Sequence, residues 1–404
     1  MKGTIAKRRI ALVTSRFPYG PREPFLREEI AELARVCDVI VVPALPTDEP
    51  ATETGIPSLR LRLLSPPVLR AAALETMRAP GRAIHALATV LRAPRTFTAK
   101  CKNLLVFPTG LAVSRIVREL GVTHVHAYWL ALPATVAYVA AAMNDVPWSA
   151  TGHRYDLTDS NMSGRNVGET FISTAQFIRT ISKVGEERVR SALGTAVRAQ
   201  LLTEHLGVRV PQEAAPQAQP DPTLRLICAA ILEPRKGHAV LFDAIAEASR
   251  AGIRVSCALA GEGSLLAELQ ARSRALGIAD RLEFLGHIAH EQLLDKIQGG
   301  TYDAAILTSA DEGIPIFLAE SMAAGLPVIA TRSGGVEELV NAENGILCAP
   351  GRSGEIAAAI RTFACDRVLR ARLGAAGRET VRRRFDAREN ARRIAKLLVR
   401  EGVA

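Results

Sequence analysis

The chain has 404 residues, more than one hydrophobic core supports and enough for two domains of about 150 to 200 residues each. Hydrophobic residues make up 48%, yet no apolar run is long enough to span a bilayer, and six scattered cysteines lack C-x-x-C or histidine-ligand spacing, which excludes membrane-spanning, disulfide-framed and zinc-framed classes. The net charge of +10 falls entirely before residue 211, where 27 Lys and Arg face 17 Asp and Glu, and an aromatic content of 4% leaves too few stacking platforms for a nucleic-acid partner.

The N-terminal apolar run stops at Ser15 without a small-residue cleavage signature, so the reading is cytoplasmic. Short β-branched runs then alternate with longer helical ones, giving predicted strands at 10–14, 39–42, 124–127, 148–151 and 179–182. Between the second and third, residues 56–120 interleave eleven Lys and Arg with Leu, Ala, Ile and Val against only Glu75 and Glu119. Such a face suits an anionic membrane surface or phosphorylated substrates, or is a solvated basic face with no partner. The stretch P-Q-E-A-A-P-Q-A-Q-P-D-P at 211–222 has four prolines and no large apolar residue, and reads as an interdomain linker. Beyond it, strands are predicted at 224–229, 256–260, 282–285, 304–308 and 327–331, and a closing helix lies within 386–404. The expected class is α/β: two doubly wound parallel-sheet domains, 1–210 and 223–385, facing a central cleft. In such sheets ligands bind beyond the carboxyl ends of the strands, so the following loops hold the candidates.

After the first strand, S-R-F-P-Y-G-P-R-E-P-F-L forbids helix until Phe25 and sets a tight turn at Gly20. G-H-R-Y-D follows the fourth strand with His153 and Asp156, where a core histidine is the alternative for His153. In P-R-K-G, Arg235 and Lys236 offer fixed positive charge for a phosphate, unless they form a plain surface turn. Gly261 and Gly263 in G-E-G-S permit close backbone approach, although Leu266 stands where the full dinucleotide signature needs glycine. In D-E-G-I-P-I-F-L-A-E, Gly313 and Pro315 keep Glu312 in a loop and open a helix, whose first amides face what Glu312 touches, while Glu320 lies further along that helix. The two acids are either surface groups or grips for the two ends of a long, hydroxyl-rich ligand such as a nucleotide sugar.

The run S-A-D-E-G-I-P-I-F-L-A-E-S-M-A-A-G-L-P-V-I-A-T-R-S-G-G-V-E-E-L-V, residues 309–340, closely resembles the E-x7-E region of retaining glycosyltransferases of family 4, which have the GT-B fold of two facing Rossmann-like domains. The resemblance extends over F-L-G-H-I (284–288), G-E-G (261–263), P-R-K-G (234–237), H-V-H-A-Y-W (124–129) and T-G-H-R-Y-D (151–156). It implies that Glu312 binds donor-sugar hydroxyls near the reacting carbon and Glu320 the ribose hydroxyls. Lys236, with Arg235, would hold the diphosphate and stabilise charge on the departing nucleotide. The backbone of Gly313, Ile314, Pro315 and Ile316 would line the sugar and phosphate pocket, with Gly20, Gly261 and Gly263 on the donor side. Leu285 and His287 would meet the base, His153 would act at the reacting centre, and Asp156 and His126 would lie on the acceptor side. One departure matters: the arginine that the family usually carries in a G-R-L-like run is replaced within A-A-I-L (229–232).

The expected function is therefore retaining transfer of a hexosyl unit from a nucleotide diphosphate sugar to a lipid-linked or polysaccharide acceptor in cell-surface glycan synthesis. The loop after the first strand also resembles the starts of bacterial exopolysaccharide and capsule transferases. No D-x-D occurs in the sequence, so neither a metal nor another cofactor is expected, and the chain is placed peripherally at the inner face of the membrane. The alternatives are a soluble natural-product acceptor, a nucleotide-sugar epimerase and a non-catalytic binding protein of the same fold.

Overall fold

The structure is a computed structural model that describes residues 8–20, 23, 26–51, 55–92, 96–154, 156–157, 172–193, 200–216 and 221–399. The chain divides into two compact units, Met1–His205 with Arg388–Ala404 and Leu206–Ala387.

The first unit comprises β1 (Arg9–Thr14), α1 (Leu26–Val36), β2 (Asp38–Pro43), α2 (Pro66–Arg78), α3 (Pro80–Arg92), α4 (Phe97–Glu119), β3 (His124–Ala127), α5 (Leu132–Asn144), β4 (Trp148–Gly152), β5 (Phe177–Thr180), α6 (Lys183–Leu193) and β6 (Gln200–Thr203). Its six strands are parallel in the order β2-β1-β3-β4-β5-β6. Helices that cross back over a parallel sheet cover both its faces, so its strands read as continuous apolar runs: Ile10 to Val13 are fully buried. On α1 the buried residues Leu26, Glu29, Ile30 and Leu33 recur at helical spacing. Buried Glu29 is balanced by the fully buried Arg179, whose guanidinium reaches both its carboxylate oxygens at 2.6 and 3.0 Å. The remaining donors of Arg179 go to the carbonyls of Glu204 and His205, so this buried charge is both paired and hydrogen-bonded. Helices α2 to α4 leave Leu69, Leu74, Met77, Ile84, Phe97, Leu104 and Leu105 exposed beside exposed Arg70, Lys100 and Lys102.

The second unit comprises β7 (Leu224–Ala229), α7 (His238–Arg250), β8 (Val255–Ala260), α8 (Leu266–Ala275), β9 (Leu282–Gly286), α9 (His290–Gln298), β10 (Ala304–Leu307), α10 (Ile316–Ala323), β11 (Val328–Thr331), α11 (Val336–Leu339), β12 (Ile346–Cys348), α12 (Ser353–Cys365) and α13 (Arg367–Arg384). Its six parallel strands run in the order β12-β11-β10-β7-β8-β9, the doubly wound arrangement with its switch point between β7 and β10. Helix α14 (Ala387–Val399) then buries Ala391, Ile394, Ala395 and Leu398 against Ile10, Leu12, Leu26 and Ile30 of the first unit.

Three expectations are corrected here. The chain leaves the first unit at His205, ahead of the proline-rich stretch: Val208 joins the second unit's core and donates to the Phe385 carbonyl at 2.8 Å. Residues 211–216 are not a spacer, because Arg378 holds the carbonyls of Pro211 and Gln212, and the Ala215 amide donates to Ala324. Residues 217–220 of that stretch lie outside the described residues, as do Pro21, Pro24 and Phe25 of the first loop. Strands β6 and β12 were not foreseen. Each lies at a sheet edge, β12 is only three residues long, and β6 has the unpatterned sequence Q-L-L-T.

Candidate active site

In the second unit, the loops after β7 and β10 meet at the switch point. Pro234 to Lys236 form a single 3-10 turn, and Gly237 follows in the left-handed region at φ +69°. A Cβ on Gly237 would lie 2.1 Å from the Thr308 carbonyl oxygen, so only glycine lets the two loops approach this closely. That approach brings the Lys236 ammonium onto Glu312 Oε1, which also accepts the Ser309 hydroxyl at 2.6 Å. The Lys236 and Glu312 side chains are only 14% and 8% exposed, so each offsets the desolvation of the other. His238, buried just beyond Lys236, is pushed down to about 4 by burial and by that ammonium, and is neutral near pH 7.

The backbone under Glu312 is held by Gly334 and Gly335. A Cβ on Gly334, at φ +57°, would meet the Glu312 carbonyl oxygen at 2.0 Å, and the Gly335 amide donates to that oxygen at 3.1 Å. Helix α10 begins directly after Pro315, and its first amides have no carbonyl partner within the helix. Anionic groups are favoured at such an end by those N–H groups and by the helix dipole. Glu320 sits on the same helix, 8% exposed, with His290 Nε2 2.6 Å from its Oε1.

In the first unit, the loops after β1, β3 and β4 converge in the same topological position. Trp129 stacks on His153 with ring centroids 4.3 Å apart and donates its indole N–H to Glu23 Oε1. The second Glu23 oxygen accepts the amides of Arg16 and Phe17, each at 2.8 Å. Asp156 Oδ2 accepts the amides of Leu130 and His153, both at 3.1 Å. Burial pushes the Asp156 carboxyl up to about 7 against the pull of those two amides, and nearby Glu23 adds to the rise. Burial and the Arg179 charge push His153 down to about 3, opposed by a hydrogen bond with the Tyr128 backbone, so near pH 7 it is a neutral imidazole.

Comparisons with known proteins agree with this architecture. Residues 211–380 match the family described as glycosyl transferases group 1. Over 329 residues the chain is 26% identical to the GDP-mannose-dependent alpha-(1-6)-phosphatidylinositol monomannoside mannosyltransferase of Mycolicibacterium smegmatis, covering 73% of this chain and 81% of that protein. A Corynebacterium glutamicum mannosyltransferase of the monoacylated substrate is 25% identical, over 68% of this chain and 75% of its own. Among solved structures, sucrose-phosphate synthase from Thermosynechococcus elongatus superposes with a TM-score of 0.72 at 19% identity, covering 97% and 98% of the two chains. Anabaena HepE in complex with UDP and glucose gives 0.69 at 19% identity, covering 96% and 98%. The fold is that of GT-B glycosyltransferases, and the second unit carries the match to glycosyl transferases group 1.

This fold brings together some of the expected residues and separates others. Glu312, Lys236 and the Gly313–Ile316 turn form one constellation, with Glu320 further along α10. Arg235 turns away from it: its guanidinium binds Glu233 at 3.0 Å and is 40% exposed. Gly261 and Gly263 let neighbouring loops pack closely, since a Cβ at either would strike the carbonyl oxygen of Ala230 or Leu232 at 2.1 and 2.3 Å. Leu285 is half-buried at the end of β9, and His287 is exposed with its amide near Glu262. Gly20 belongs to the first unit, where its amide donates to the Pro50 carbonyl. His126 is corrected: it is a core residue, 0% exposed, with its ring nitrogens on Ser149 at 2.7 Å and Thr151 at 2.9 Å. Its place within a strand, rather than after one, is the signal that could have shown this. Residues missing from the sequence reading are Ser309, His290, Glu23 and Trp129. Ser309 is three residues from Glu312 and could have been found by local spacing, whereas the other three meet their partners only through the fold.

Proposed function

We propose that this transferase moves a hexosyl unit, with retention of anomeric configuration and without a metal, from a nucleotide diphosphate sugar to a lipid-linked or polysaccharide envelope acceptor. The observation that carries the reading is the Lys236 and Glu312 pair at the switch point beside the N-terminus of α10. A diphosphate placed there would draw Lys236 off Glu312 and leave the carboxylate for sugar hydroxyls. Lys236 and the α10 amides would then stabilise the charge that develops on the departing nucleotide, a preorganised electrostatic effect. Glu320 would hold the ribose hydroxyls. In the acceptor-binding unit, neutral His153 would act as a hydrogen-bonding group near the reacting hydroxyl, not as a cation. The relatives named above make GDP-mannose the first donor to try and a phosphatidylinositol mannoside the first acceptor.

Among the described residues no helix is long and apolar enough to cross a membrane. The exposed apolar side chains of α2 to α4, set beside exposed Arg70, Lys100 and Lys102, favour a peripheral seat on anionic lipid, where burying apolar groups and attracting headgroups act together. The test is a panel of nucleotide diphosphate sugars assayed without metal by thermal shift, on wild type and Glu320→Ala. A single donor that raises the melting temperature of the wild type and shifts the variant less supports the reading. NMR of the product made with that donor then reports the anomeric outcome. A panel in which no nucleotide sugar shifts the wild type overturns it.

A further inference from the structure

The second unit holds a cavity of about 340 Å³ at the end of its sheet opposite the Lys236 and Glu312 loops. Its floor is the entry to β10 and β11, with Asp303 and Leu326, and its long wall is the face of α13 carrying Arg367, Arg370, Arg378 and Arg382. Because all six strands are parallel, a cavity beside residues that precede β10 and β11 cannot be part of the loops that follow β7 and β10.

The charges around this cavity do not balance. Asp303 is shared by Arg225 at 3.2 Å and Arg370 at 3.6 Å. Glu379 is shared by Arg383 at 2.6 Å and Arg382 at 3.5 Å. Asp366 caps α13 by accepting the Leu369 amide at 2.8 Å. Arg378 satisfies its guanidinium on carbonyl oxygens alone, those of Ala323, Pro211 and Gln212, which take its protons without cancelling its charge. Burial and the neighbouring Arg382 both press the Arg378 guanidinium below its usual range. Burial and Arg367 do the same to Arg370, against the pull of Asp303 and Asp366. Cations crowded in this way gain from any anion that enters among them.

We propose that this cavity binds a small organic phosphate. The arginines of α13 would take the phosphate, for which the planar guanidinium fork is suited, and Leu326, Pro327, Ala371 and Ala375 would cover the carbon skeleton. The volume lies at the lower end of the range of about 300 to 1,000 Å³ common for small-molecule pockets and exceeds what a bare phosphate fills.

The experiment is calorimetric titration of the full chain at fixed ionic strength with inorganic phosphate and glycerol 3-phosphate, using glycerol as the uncharged control. The variants are Arg367→Ala combined with Arg382→Ala, both exposed and remote from the core, and Lys236→Ala, which removes the phosphate-binding charge of the donor loops. Arg378 is left intact because it holds three backbone carbonyls. The expected result is saturable binding of glycerol 3-phosphate and not of glycerol, weakened about tenfold or more in the double variant, as loss of charged hydrogen bonds requires, and retained in Lys236→Ala. Absence of saturable binding to the wild type up to about 10 mM overturns the proposal. So does unchanged binding in the double variant, and binding lost only in Lys236→Ala would assign the phosphate to the donor loops.

Discussion

The two units share a doubly wound parallel sheet, and in each the loops converge beyond the ends of the strands that flank the switch point, β1 and β3 in one and β7 and β10 in the other. What they place there differs in kind. The second unit presents a charge pair, Lys236 with Glu312, and a carboxylate, Glu320, within hydrogen-bond reach of His290, each partly open to solvent. The first presents groups driven toward neutrality, with His153 held near 3, Asp156 near 7 and an indole stacked on His153 and donating to Glu23. Topology therefore decides where side chains gather, and their solvation decides whether they act as charges or as hydrogen-bonding surfaces. The charged arrangement of the second unit suits a diphosphate, whose charge must be met by charge. The neutral arrangement of the first unit suits a hydroxylated acceptor, which needs positioning in a water-poor setting.

The largest expected effect tests the charged half of this contrast. Lys236→Ala removes the cation on Glu312 and should lower kcat/KM by roughly 10²- to 10³-fold, the cost of losing one preorganised charge-stabilising group. Because it also leaves Glu312 buried without its counter-charge, urea unfolding must accompany the kinetics, and a variant of normal activity would sink the assignment. Next in size is Gly334→Ala. A left-handed backbone and a Cβ 2.0 Å from the Glu312 carbonyl oxygen should cost about 1 to 3 kcal/mol in strain, with donor KM rising as the Glu312 loop is displaced. Unchanged stability would show that the loop has room to yield.

Much of this was open to a reader of the sequence. The ten strands other than β6 and β12 are apolar runs bounded by glycine, proline and polar residues, and the pairing of Glu312 with a helix start follows from Gly313 and Pro315. The position of the P-R-K-G turn followed from Pro234 and Gly237. Tertiary contacts with no local signature were hidden: Glu23 and Trp129 are 106 residues apart, Arg179 and Glu29 are 150 apart, and His290 meets Glu320 across 30. Nor could spacing tell whether G-E-G faces a ligand or a neighbouring loop, since either reason calls for glycine. The same ambiguity misplaced His126, because a histidine near the end of a strand can point into the sheet as readily as beyond it.

The neutral half of the contrast is tested by pH. His124 and His153 are each held near 3 in the fold by burial, against 6.5 as the ordinary value. Between about pH 3 and 6.5 the unfolded chain therefore binds more protons than the folded one, and stability falls as pH falls through that window. Asp156 works in the opposite sense: raised to about 7 from 3.8, it keeps its proton in the fold and favours folding as pH drops from 7 toward 4. His124→Asn should flatten the acid slope by up to about 1.4 kcal/mol per pH unit below 6.5, and Asp156→Asn should steepen it. Both tryptophans, Trp129 and Trp148, lie in the first unit, so urea titrations followed by indole fluorescence at pH 5 and 7 read that unit alone. Identical slopes in all three proteins would mean that these groups titrate normally and that the loops are wetter than their burial implies.

The smallest expected effect decides what became of the arginine absent from A-A-I-L. Arg235 adjoins Lys236 in sequence, yet it is bound to Glu233 in a half-exposed pair of a kind worth about 0 to 1 kcal/mol. Arg235→Ala should therefore change stability and kcat/KM by no more than a few-fold equivalent, far less than Lys236→Ala. A loss as large as that of Lys236→Ala would mean that a bound diphosphate draws Arg235 off Glu233 and recruits it as the second cation. In that case the charged unit would assemble its site only when the donor arrives, whereas the first unit has its neutral site already formed, and the difference between them would be one of timing as well as of charge.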